Sequence, residues 1–107
     1  MSNFDVQFSS RANRDASRIF DWLQSRSKQG AVRWLDALDK MKTRLRDVPL
    51  DCPVAEETES FDEPVRQILF HTRRGNTYRA LFVVRESIVT ILYVRGSGQA
   101  PVPPGTI

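Results

Sequence analysis
The chain is short of the residues that build metal centres and cross-links. It has one cysteine, Cys52, and one histidine, His71. A lone cysteine excludes an intramolecular disulfide, and with one distant histidine it cannot complete a zinc centre, so no metal site is expected. No apolar run approaches the ~20 residues that a membrane span needs. The opening Met-Ser-Asn-Phe-Asp lacks the basic and apolar regions of a signal peptide. A cytoplasmic protein with no membrane partner is the expectation. Neither a phosphate-cradling glycine loop nor a paired-carboxylate motif occurs, so no cofactor is expected. Lysine is absent after Lys42, and tyrosine is absent after Tyr93.

What is present is charge in blocks. The net charge of +3 divides into +4 over residues 1–48, −6 over 49–64 and +5 over 65–107. The middle block holds Asp51, Glu56, Glu57, Glu59, Asp62 and Glu63 with no base, whereas the last holds six arginines and one acid, Glu86. Blocks of this kind favour an oriented encounter with a charged partner. The acidic block also has a plainer reading, as a solubilising surface loop on a basic protein.

The hydropathy pattern orders the elements. Phe4, Val6 and Phe8 alternate with polar residues, which predicts a short strand over 3–8. Ser9 and Ser10 offer N-cap hydroxyls, and Asp15 lies near the start of the helix that follows. Ala12, Ala16, Ile19, Phe20 and Leu23 recur at helical spacing, predicting a helix over 11–26. After a break at 27–30 a second period runs through Ala31, Leu35, Leu38, Met41, Leu45 and Val48, and Pro49 stops it. So short a break predicts an antiparallel helical hairpin. Residues 49–64 show neither period and read as a surface loop. Val65–Thr72, Thr77–Arg85 and Ile88–Arg95 then read as an antiparallel meander, turned at Arg73–Asn76 and at Glu86-Ser87. The expected class is α+β, a β-α-α-β-β-β order with a helical hairpin packed on an antiparallel sheet. One domain over 1–96 and a Gly/Pro-rich tail over 97–107 are expected.

Strand alternation separates Tyr78, Ala80, Phe82 and Val84 from Arg79, Leu81, Val83 and Arg85. The aromatic face should meet the helices, leaving the Arg79 face open. In the last strand, alternation groups Val89, Ile91, Tyr93 and Arg95 on one face, without saying whether it is the inner one. If Tyr93 and Arg95 share the Arg79 face, two arginines and a phenol line one shallow groove. The plainer reading is that each arginine snorkels to solvent. Arg66, Arg73, Arg74, Arg79, Arg85, Tyr93 and Arg95 are the candidate residues for binding a phosphate or an acidic target.

The Phe8-x-x-x-Ala12 opening, the helical hairpin, the Val65–Leu69 strand, the Tyr-Arg-x-x-Phe-x-Val run at Tyr78–Val84 and the closing Tyr93-Val94-Arg95 together resemble the RelE/ParE family of type II toxins. The resemblance covers about Phe4 to Gly96. It implies a toxin that arrests growth, helps to stabilise plasmids and is neutralised by a cognate antitoxin in a hetero-oligomer. RelE-like members cleave messenger RNA on the ribosome, and ParE-like members block DNA gyrase. RNA cleavage needs a proton acceptor, a proton donor and a cation for the phosphate. On that reading Arg79, Arg95 and His71 are the catalytic candidates, although a strand-end histidine is more often a surface residue. RelE-like enzymes use lysines before the Tyr-Arg strand and a tyrosine beyond the last strand, both absent here. The ParE-like His-Gly after the last strand is replaced by Gly96-Ser97-Gly98-Gln99. The order of expectation is therefore a ParE-like gyrase inhibitor, then a ribosome-dependent endonuclease, then a decayed toxin that only binds its antitoxin or an unrelated basic binding module.

Overall fold
A computed structural model describes residues 3–72 and 76–96. Strand β1 (Asp5–Phe8) leads into helices α1 (Ser10–Arg26) and α2 (Lys28–Asp47), then strands β2 (Arg66–His71), β3 (Thr77–Arg85) and β4 (Ile88–Gly96). Ser9 caps α1, its Oγ accepting the Ala12 N–H at 3.0 Å. Ser27 alone joins the helices: it closes α1 and its hydroxyl accepts the Gly30 N–H that opens α2. The second helix thus starts earlier than the loss of apolar period suggests, because a single capping serine suffices for the turn.

The sheet order is β1-β4-β3-β2. The meander is antiparallel as expected, while β1 lies parallel to β4 and makes the sheet mixed. On one face Ala12, Trp34, Leu38, Met41 and Leu45 of the helices pack against Ile68, Phe70, Tyr78, Ala80 and Phe82. Trp34 sits edge-on to Tyr78, with ring centroids 5.9 Å apart. Burying aromatic rings of this size is a dominant source of core stability.

The other face differs from the expected open groove. Residues 49–64 are not a solvated loop but a third layer, folded through short 3-10 turns at Pro49–Asp51 and Glu56–Ser60. Ala55 and Val65 are buried with Leu81, Val83 and Tyr93, and Phe61 packs beside them. The layer is tied to β2 through the Gln67 N–H on the Pro53 carbonyl at 2.9 Å. Prolines and acids hide this behaviour from a periodicity reading, since irregular backbone carries no period. Cys52, although it belongs to the same segment, is buried in the helix-facing core, and burial pushes its thiol up from the ordinary value. We expect Cys52 to resist alkylation at neutral pH in the folded chain and to react promptly once unfolded, measured by mass shift.

Candidate functional site
The site follows from how β3 and β4 pair. Leu81 lies opposite Tyr93 but Phe82 lies opposite Ile91, so Leu92 is an extra residue in a β-bulge. A bulge adds one residue to a two-residue period and exchanges the faces beyond it. Val89 and Ile91 therefore face the helices, while Tyr93 joins the opposite cluster. The grouping of Val89 and Ile91 with Tyr93 and Arg95 is corrected by this bulge. Arg79 is paired directly with Arg95, so Arg79, Tyr93 and Arg95 do share one face.

That face is closed. The Arg79 guanidinium donates to both carboxylate oxygens of Glu57, one contact being 3.0 Å, and to the Gln67 side-chain oxygen at 3.1 Å. The Glu57 side chain is 2% exposed and that of Arg79 is 18% exposed. The bond from Glu57 is the main reason that Arg79 is held even more firmly charged than usual. Two arginines placed opposite each other would repel, and the carboxylate inserted beside them offsets this.

The other candidates are also tied to the acidic layer or lie elsewhere. Arg85 grips Glu63 through its Nε at 2.9 Å, and that hydrogen bond draws the Glu63 carboxyl below its ordinary range. Arg66 has the parity of the helix-facing Ile68 and Phe70, and its guanidinium donates to the Cys52 carbonyl at 2.8 Å. His71 is exposed at the end of β2, paired with Thr77. Arg73 and Arg74, with the tail from residue 97, lie outside the described residues. Tyr93 is buried, which raises its phenol above the ordinary value, and its hydroxyl has no hydrogen-bond partner among the described residues. Among the described residues no cluster of histidine, cysteine and carboxylate could hold a metal ion, and no helix is long and apolar enough to cross a membrane.

Sequence reasoning missed three participants. Glu57 was visible only as one acid in a block, though the block's −6 beside arginine-bearing strands was a signal of pairing. Asp15, expected to favour the start of α1, is buried and accepts the Val94 N–H at 3.1 Å. Arg11 bonds Asp15 at 3.0 Å and lies 5.3 Å from the centre of the Tyr93 ring.

Comparison with known proteins bears on this arrangement. No curated protein sequence matches the chain. Among solved structures it is similar to a chain of the chromosomal ParDE TA system from P. aeruginosa, with a TM-score of 0.64 and 16% identity over 88% of this chain and 96% of that one. At that identity the likeness speaks for the fold, two helices on a four-stranded sheet. A family model for the ParE toxin of type II toxin–antitoxin system, parDE, matches residues 6–101. With nearly its whole length matched, the chain belongs to the ParE toxin family.

Proposed function
We propose that the chain is the toxin of a ParDE-like module, that it arrests growth by blocking DNA gyrase, and that a cognate antitoxin neutralises it. The observation that carries the choice of target is the engagement of Arg79 with Glu57. Phosphate stabilisation in RNA cleavage needs a cation that can turn to the scissile phosphate. Here that cation already holds a buried carboxylate, and the phenol beside it is buried and neutral. Binding of a protein target asks for no proton transfer and fits such a face. The ParDE assignment of the similar structure supports an antitoxin as partner.

The purified chain should inhibit supercoiling by gyrase, and its expression should stop DNA synthesis before messages are lost. Co-expression of the adjacent gene product should restore growth. Rapid cleavage of translated messages with supercoiling untouched would instead establish the endonuclease reading.

A further inference from the structure
Helix α1 carries unneutralised charge along one flank. Arg11, Arg14, Arg18, Trp22 and Arg26 succeed one another at spacings of three, four, four and four residues, which sets them in one stripe. Ala12, Ala16, Ile19 and Leu23, which seat α1 on the core, form the adjoining stripe. Asp15 neutralises Arg11 at 3.0 Å. Among the described residues no acid pairs with Arg14, Arg18 or Arg26, and all three are exposed. The other acid of α1, Asp21, turns towards α2, where it lines a depression with Trp34 and Leu35. On α2, by contrast, Asp36 holds Lys40 and Asp39 holds Lys42, each at 3.2 Å. Arg26 lies over the ring of Trp22, 4.5 Å from its centre, and is positioned there without loss of charge.

We propose that this flank binds the phosphate backbone of duplex DNA, without reading its sequence. A guanidinium group can engage two phosphate oxygens at once, and every cation of the stripe is an arginine. From Arg14 to Arg26 the stripe rises about 18 Å, which spans about five phosphates of one strand at about 3.4 Å each. A single strand would need aromatic faces for its bases, but the one ring of the stripe already carries Arg26. An acidic protein would need an apolar recess for an anchoring side chain. The depressions lined by Leu35 and by Val32 include no residue of the stripe. A membrane would need exposed apolar residues beside Trp22, and the apolar residues of α1 pack on the core instead. The proposal rests on the gyrase reading in one respect: blocking gyrase brings the chain to duplex DNA, where this grip adds to its hold.

The test titrates the whole chain, without gyrase, into fluorescent duplexes of about 20 base pairs in two unrelated sequences, read by anisotropy. Saturable binding, equal for both sequences, is expected at about 50 mM salt and about fortyfold weaker at about 200 mM, the slope for three phosphate contacts. Arg14→Gln, Arg18→Gln and Arg26→Gln together should weaken low-salt binding at least about tenfold, and each alone should lower the salt slope by about one. Lys28→Gln, Arg33→Gln and Lys40→Gln on α2 remove the same charge elsewhere and should weaken it no more than about twofold. All these side chains are exposed, so the variants should fold, as circular dichroism checks. If a combined variant does not fold, the slopes of the single variants decide. Parallel arms use a single strand of equal length, phosphatidylglycerol vesicles and a polyglutamate peptide. Absence of saturable binding, preference for one duplex sequence, equal losses from the two sets of variants, or tighter binding in any parallel arm would each overturn the proposal. Gyrase does not enter this assay, so its failure leaves the gyrase reading standing. Duplex binding as expected, with supercoiling by gyrase untouched, would sink the gyrase reading alone.

Discussion

Replacing Arg79 by alanine is expected to lower stability by about 3 kcal/mol, with Glu57→Ala somewhat less costly. The asymmetry follows from burial and partners. Without Arg79, the Glu57 carboxylate is left almost fully enclosed, with its two guanidinium contacts gone. Without Glu57, the guanidinium keeps the Gln67 oxygen and some contact with solvent. For a domain of this size such a loss moves the midpoint of thermal unfolding by on the order of 10–20 °C, readable by circular dichroism. The double variant Arg79→Met with Glu57→Leu should recover most of the loss, because no charge remains to be desolvated. A double-mutant cycle then separates the coupling from the single truncations. If Arg79→Ala keeps wild-type stability while growth arrest disappears, Arg79 acts on the target, as the open-groove expectation had it. Loss of both together identifies it as the bolt between sheet and acidic layer.

The same pair shows what the sequence could and could not convey. Helices and meander were legible because burial on one side imposes a period, 3.6 for α1 and α2 and 2 for β2 and β3. Contacts between segments far apart in the chain leave no such trace. Glu57 and Arg79 are 22 residues apart, and nothing local to either marks the other. The composition did carry a coarse version of the answer, a strongly acidic block preceding arginine-bearing strands. Reading it as solvation rather than pairing led to the open groove. The bulge at Leu92 was hidden for another reason. Leu92 and Val94 are both aliphatic, so hydropathy does not reveal that the period slips between them. Parity alone put Tyr93 with Ile91; the extra residue turned it to the side of Arg79.

The end of β4 also depends on a contact that no local pattern announces, and Asp15→Ala tests it. Strand β1 stops at Phe8, opposite Ile91, yet β4 continues to Gly96. Beyond that point the β4 edge has lost its neighbour, and the start of α1 takes over the hydrogen bonding. The Ser9 N–H donates to the Ile91 carbonyl at 2.9 Å, and the Ser9 hydroxyl donates to the Leu92 carbonyl at 3.0 Å. Asp15 then accepts the buried Val94 N–H with one oxygen and holds Arg11 with the other. Alanine at 15 removes a charged acceptor and strands a buried donor, and should cost about 2–3 kcal/mol. Asparagine keeps an acceptor for Val94 but loses the ion pair with Arg11, which is partly exposed, and should cost about 1 kcal/mol. Urea midpoints give the two values. Amide exchange separates this mechanism from a general loosening: Val94 should lose protection in the alanine variant by far more than Val83 at the centre of β3. Equal losses at both positions would mean that Asp15 supports the core as a whole. A selective loss at Val94 would make it the clasp that holds Tyr93 and Arg95 in place beside Arg79.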